Sequence, residues 1–230
     1  MGFFPSRESI PSSPVITLFG TLFVGGVLLL AAGGCHRGGD GGAEGDKTAE
    51  TKGVDAALFD RGAQQLENES WDEAAATFTE VLKGAPNDEN TLFHRASAYL
   101  ALARENYRAA AEAITNNKEA LAAEKTAAAD DAFEKATADC RAIIEKNPDC
   151  ADAHYALGSI KIYQGQWDDA LEEFSAVIRI DPNYAAAYQR RGEVAGFIGD
   201  TVSEAADLKK AAELGYKRSE IDEAGNVLSD

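Results

Sequence analysis

The stretch ADAHYALGSIKIYQGQWDDALEEFSAVIRIDPNY, residues 151–184, follows Pro148 and contains Pro182, two prolines thirty-four positions apart. Each proline closes an apolar, helix-like segment, in KNPDC and in IDPNY, and Pro86 does the same in GAPND. Proline has no backbone donor and its ring clashes with the preceding helical turn, so the three mark helix ends. Inside the stretch, Gly165-Gln166-Trp167-Asp168 reads as a turn followed by a second helix start. The block is therefore two helices and a turn. A chain built from such blocks buries its apolar faces by stacking one block on the next.

Aligned by their prolines, the blocks share residue types. Residues 55–88 carry Leu58, Gly62, Ala74, Phe78, Val81 and Pro86; residues 151–184 carry Leu157, Gly158, Gly165, Trp167, Ala170, Phe174, Val177 and Pro182. Residues 185–218 keep Tyr188, Gly192, Gly199, Leu208 and Ala211, with Glu204 in the place of Ala and Tyr216 in the place of Pro, the decay expected of a last unit with no neighbour beyond it. The pattern resembles the tetratricopeptide repeat (TPR) and covers residues 55–218. The resemblance implies an all-α fold, a right-handed α-solenoid of about four TPR helical hairpins. Small residues at the eighth and twentieth positions let two antiparallel helices approach, and the large residue at the twenty-fourth fills the space between them. Trp71 and Trp167 occupy one position in two units and read as packing residues.

The second unit, residues 89–150, is sixty-two residues long, twenty-eight more than its neighbours. Twenty-eight is four heptads, so each helix can gain two heptads and keep its facing. Phe93, Ala96, Leu100, Ala103, Tyr107, Ala110 and Ile114 step by threes and fours, and so do Ala122, Thr126, Ala129, Phe133, Ala136, Cys140 and Ile143 on the return. Such seams are coiled-coil-like. Asn116-Asn117 between them is a good turn pair and the expected tip. The spacing predicts a long antiparallel helical hairpin standing out from the array, either a contact arm or a passive spacer.

Ahead of the array, residues 15–32 hold no charge and end in Ala31-Ala32-Gly33-Gly34-Cys35. An apolar run closed by small residues and a cysteine is an export pattern and resembles a bacterial lipobox, with Ala32 where Leu is usual. The resemblance implies that residues 1–35 are a signal peptide and that Cys35 is lipidated; an uncleaved membrane anchor and plain secretion are the alternatives. Residues 36–54 are Gly-rich and polar and read as a flexible tether with an r.m.s. span of about 23 Å. Residues 219–230 read as a C-terminal cap or tail. The expected address is extracytoplasmic and membrane-anchored, on the periplasmic face of a bacterial outer membrane, or else at a single-pass inner-membrane anchor.

The composition narrows the function. A net charge of −17, from 22 Lys and Arg against 39 Asp and Glu, argues against a nucleic-acid partner, since phosphate binding needs a basic surface. Three Cys, three His and one Met leave little for a metal site or a disulfide scaffold. No cofactor is expected. Cys140 and Cys150 read as free thiols, eight helical residues being about 12 Å, too long for a bridge. His94 and His154 lie on first helices of successive units; a metal or catalytic pair is one reading and packing histidines the other.

In tetratricopeptide repeats the first helices line a concave groove, exposed at the second, fifth, ninth and twelfth positions. Carried over residue by residue, the resemblance implies a peptide- or partner-binding groove of Phe59, Asn90, Phe93, Ser97, Asp152, Tyr155, Ser159, Gln189 and Glu193. The Lys, Asn and Arg that grip a C-terminal carboxylate in some members are absent but for Arg190. The expected function is a non-catalytic, membrane-anchored scaffold or adaptor mediating protein–protein interactions in the cell envelope, with self-association through the hairpin. The alternatives are an assembly factor, pilotin-like or an outer-membrane-complex subunit, and, from another class, a metal-binding or enzymatic protein using His94 and His154.

Overall fold

The computed structural model describes residues 55–216, which are helical with short turns and contain no strand. The apolar run, Cys35, the tether and the C-terminal tail lie outside the described residues. Eight helices follow one another: α1 (Ala56–Glu67), α2 (Trp71–Gly84), α3 (Glu89–Thr115), α4 (Glu119–Lys146), α5 (Ala151–Tyr163), α6 (Trp167–Ile180), α7 (Ala185–Phe197) and α8 (Thr201–Glu213). Each packs chiefly on its neighbours in sequence, α1 on α2, α2 on α3 and so on to α7 on α8. The architecture is an α-solenoid of four helical hairpins, the second enlarged as its length predicts.

Two kinds of turn, used in alternation, make the array regular. Within each hairpin the first helix ends with one residue in the left-handed region: Glu69 (φ 58°), Asn117 (φ 55°), Gly165 (φ 70°) and Gly199 (φ 89°). The next N–H reaches back to a carbonyl five residues earlier, as in Ser70 to Gln65 (2.9 Å), Lys118 to Ala113 (2.8 Å) and Gln166 to Lys161 (2.9 Å). This is the Schellman closure, which uses carbonyls the helix end would leave unpaired. Between hairpins, proline stands second in a four-residue turn closed by Asp88 to Ala85, Cys150 to Asn147 and Tyr184 to Asp181, each 3.1 Å. Glu69 is the misfit, because a left-handed conformation costs a side-chain-bearing residue about 1 kcal/mol. Glu69→Gly is therefore expected to raise the unfolding midpoint by about 2–4 °C, read by thermal denaturation.

The core repeats with the turns. Ala74, Phe78 and Val81 in the first hairpin, Ala136, Cys140 and Ile143 in the second, and Ala170, Phe174 and Val177 in the third are all 2% exposed or less. Opposite each large residue stands a small one. A Cβ placed on Gly62 would lie 2.8 Å from the Phe78 ring, and one on Gly158 would lie 2.9 Å from Phe174. In the second hairpin both partners change together, Ala96 for Gly and Cys140 for Phe, and both remain buried in one cluster. In the fourth, Glu204 takes the place of the usual Ala and lies over Gly196, where a Cβ would meet its carboxylate at 2.5 Å.

In the long hairpin the seam residues are buried or half-buried except Ile114, which is 41% exposed. Ala113 is buried in its place, correcting the expected seam by one residue at its last step. The seam step of four, from Ala110 to Ile114, overshoots a face that the helix closes with a step of three. At its base the arm is locked by three rings from three helices. Phe133 of α4 stacks on Tyr163 of α5 (5.2 Å), and Tyr107 of α3 lies 5.5 and 5.9 Å from them. Tyr107 also donates its hydroxyl to Asp130 (3.1 Å). Beyond these rings the buried seam is alanine alone: Ala110, Ala113, Ala122 and Ala129. Small side chains let the two helices run close, and this fixes the arm's direction with little apolar burial. Asn116 and Asn117 form the tip, as the sequence indicates, with Asn117 in the left-handed geometry Asn tolerates.

Candidate partner-binding surface

The first helices α1, α3, α5 and α7 carry the residues of the expected groove, and the structure sorts them into two sets. Asn90 is exposed, and Phe59, Ser97, Asp152, Ser159 and Glu193 are half-buried. Phe93 (2% exposed), Tyr155 (6%) and Gln189 (6%) are buried, which corrects their reading as contact residues. The reason is that each first helix is covered on two sides, by its own second helix and by the neighbouring hairpin. Phe93 joins the core shared by the second and third hairpins. Tyr155 lies against Phe174 (5.5 Å) and stacks on Tyr184 (5.3 Å). Gln189 donates to Glu193 (2.9 Å).

Much of the remaining polar surface is already engaged within the chain. Tyr184 donates its hydroxyl to Asp152 (2.9 Å), with burial raising its pKa. Arg190, the one residue shared with carboxylate-gripping members, is paired with Glu193 (3.1 Å). Ser97 and Ser159 donate to carbonyls of their own helix, those of Phe93 and Tyr155 (both 2.9 Å). Phe59 meets His94 edge-on at 5.0 Å.

The two histidines have separate duties. His94 lies among Phe59, Phe78 and Phe93 and donates Nδ1–H to the Asn90 carbonyl (2.8 Å); burial lowers its pKa and keeps the ring neutral. His154 faces two acceptors, Glu173 Oε2 at 2.7 Å from Nδ1 and the Pro148 carbonyl at 3.2 Å from Nε2. The hydrogen bond to Glu173 raises its pKa above the usual 6.5, which favours the charged imidazolium form. Among the described residues no group of three His, Cys, Asp or Glu is placed to hold a metal. Burial pushes the Cys140 thiol up to about 12, far from a nucleophile's range. Cys140 is free; Cys150 is not, so the expectation of two free thiols holds for Cys140 alone.

These shifts have opposite signs in stability. A pKa raised by folding stabilises fully below the unfolded value, and that stability is lost as pH rises through the folded pKa. His154 should therefore weaken the fold as pH rises from about 6.5, whereas His94 weakens it as pH falls below that value. His154→Gln is expected to flatten the alkaline arm of the unfolding midpoint plotted against pH and leave the acid arm in place.

A device not foreseen in the sequence joins successive hairpins. Arg95 of α3 grips Asp139 of α4 with two bonds (2.8 and 2.6 Å) and donates a third to Thr79 of α2 (3.2 Å). Arg191 of α7 does the same with Asp207 of α8 (2.7 and 2.8 Å) and Ser175 of α6 (3.1 Å). One side chain thus holds its own hairpin closed and the preceding hairpin against it. The signal was present: Arg stands at the seventh position, Asp at the twenty-third once the twenty-eight extra residues of the second unit are left out, and a hydroxyl at the twenty-fifth of the unit before, in both cases.

Residues 120–190 match the tetratricopeptide repeat model. The TPR-matched stretch takes in most of α4, all of α5 and α6 and the start of α7. Among solved structures, the first TPR of Spaghetti (RPAP3), bound to HSP90 peptide SRMEEVD, is similar with a TM-score of 0.46 and 18% identity over 62% of this chain and 90% of that one. MamA protein is similar with a TM-score of 0.38 and 26% identity over 69% and 90%. MamA from Desulfovibrio magneticus RS-1 gives 0.38 and 21% over 69% and 93%. No curated protein matches the chain.

Proposed function

We propose that the chain is a non-catalytic scaffold that holds partner proteins or peptides at a membrane of the cell envelope, anchored through a lipid on Cys35. The observation that carries the scaffold reading is how the reactive side chains are used. His94, His154, Arg95, Arg191, Asp139, Asp207 and Cys140 all serve packing or hairpin closure. What the array offers outward is a succession of first-helix positions, Phe59, Asn90, Ser97, Asp152, Ser159 and Glu193, spread along four hairpins. Such a surface suits an extended peptide or a partner helix. The anchor rests on the residues around Cys35 alone. No helix of the described residues is long and apolar enough to cross a membrane.

Partner recovery from membranes tests the proposal. Asn90→Ala with Asp152→Ala leaves the buried Phe93 and Tyr155 in place and should lose captured protein while helicity is unchanged. Cys35→Ser should move the protein and its partners together out of the membrane fraction. Equal recovery from the double variant would place the partners on another surface.

A further inference from the structure

The three joints between hairpins are not fastened alike. At the first, Arg95 takes Asp139 and Thr79, and at the third, Arg191 takes Asp207 and Ser175. At the second joint, between the arm-bearing hairpin and the third hairpin, Leu157 stands at the arginine position and Arg141 at the hydroxyl position. The acid remains, as Glu173, and a histidine takes it. His154 Nδ1 lies 2.7 Å from Glu173 Oε2, and Nε2 lies 3.2 Å from the Pro148 carbonyl. Pro148 belongs to the turn that follows α4, so His154 spans from α6 to the preceding hairpin, as the arginines do. Of the helix pairs that form the three joints, α4 and α5 share the thinnest contact.

We propose that His154 is a proton-operated latch on this joint, closed while the ring is protonated and open once the proton is lost to solvent. The imidazolium has two N–H donors for its two acceptors. The neutral ring has one donor and turns a lone pair toward the other acceptor. The Glu173 contact is the shorter and is made to a carboxylate, so it keeps the remaining N–H. The Pro148 carbonyl then faces the Nε2 lone pair and moves away, which frees the turn that joins the arm hairpin to the third. Phe133 and Tyr163, stacked at the other end of α5, stay in place and serve as the pivot. A guanidinium keeps its protons at every physiological pH, so the first and third joints do not respond. The latch is a property of the array itself and is independent of what the array binds.

The surroundings of the ring set the direction of the response. From α6 the ring meets the hydrogen bond of Glu173 and, with the opposite effect, the charge of Arg179. On α5, Asp152 is taken by the Tyr184 hydroxyl (2.9 Å), and in the turn Asp149 is exposed. At the end of α4, Lys146 donates to the Asn87 carbonyl of the turn before (2.9 Å). Glu173 has the largest effect and raises the pKa, so the latch is closed below 6.5 and opens as pH rises through a higher value. The His154 side chain is 14% exposed, which gives its proton a path to water.

Hydrogen exchange read by mass spectrometry, on the full chain in mild detergent and corrected for the base catalysis of free amides, tests the latch. The segment 147–154 holds the Cys150 and His154 amides, which donate to Asn147 and Cys150. Between about pH 5 and about pH 9 this segment should lose protection about tenfold, the equivalent of one hydrogen bond. The other closing turns, 85–88 and 181–184, should keep theirs. His154→Gln should abolish the step, and Glu173→Gln should move it to lower pH. Spin labels at positions 117 and 183, carried on keto-bearing unnatural residues that leave the native cysteines alone, should show the spread of arm positions widening over the same range. A wild type without the step, a step that survives His154→Gln, equal steps in all three turns, or a label distance unmoved by pH would each overturn the proposal. If His154→Gln does not fold, Glu173→Gln decides alone, and a step left at its original pH overturns the latch.

Discussion

Asp139→Ala is expected to lower the unfolding free energy by about 3 kcal/mol, the cost of stranding a partly buried guanidinium. The Asp139 side chain is 5% exposed and that of Arg95 is 20% exposed, so solvent screens the pair only in part. With the carboxylate gone, Arg95 keeps one partner, the Thr79 hydroxyl at 3.2 Å. Asp207→Ala should cost less, about 1–2 kcal/mol, because Arg191 is 27% exposed and its hairpin is the last described. Replacing both partners, Arg95→Met with Asp139→Leu, should cost less than Asp139→Ala alone, since no charge is left unpaired. Urea unfolding followed by circular dichroism reads all three variants. Equal losses for Asp139→Ala and the double replacement would mean that shape, not charge, governs the site.

The second large effect lies in the core of the same hairpin. Cys140→Phe restores the residue found at Phe78 and Phe174 but sets it against Ala96, where those two rings face glycine. The ring edges already lie 2.8 and 2.9 Å from where a Cβ on Gly62 or Gly158 would stand, so overpacking at Ala96 should cost about 2–3 kcal/mol. Adding Ala96→Gly should return most of that loss, apart from about 1 kcal/mol for glycine within a helix. The coupling between the two substitutions is the signature of a repeat contact conserved as a pair. Additive losses would show that the second hairpin packs on different terms from the first and third.

The fold was legible because its punctuation is local. Pro86, Pro148 and Pro182 close the turns between hairpins, and Gly165, Gly199 and Asn117 hold the left-handed residue within them. The arm was legible because four whole heptads preserve the facing of both helices, and its alternating residues are buried in the order the spacing predicts up to Ala110. What periodicity could not show is which of two neighbours closes a face, as with Ala113 and Ile114, or what a neighbouring hairpin covers. Phe93, Tyr155 and Gln189 stand at positions that face the groove in a single hairpin, and stacking buries them. Tyr163 gave no sign of its part in bracing the arm, since its two partners are thirty and fifty-six positions away in sequence. The Arg clamp is a pattern across units, visible only when the seventh, twenty-third and twenty-fifth positions are read together.

Excision of the arm bears most directly on the repeat register. Removing residues 103–130 and writing Gly-Gln-Trp over Asp131, Ala132 and Phe133 leaves a thirty-four-residue second unit with an ordinary turn. Arrays of this kind are held by contacts between nearest neighbours, and the excision leaves Ala96, Cys140, Arg95 and Asp139 in register. Thermal unfolding by circular dichroism should show one cooperative transition, with helical signal reduced in proportion to the residues removed. A broad, non-cooperative melt would contradict the register and mean that the arm is part of the core rather than an addition to it.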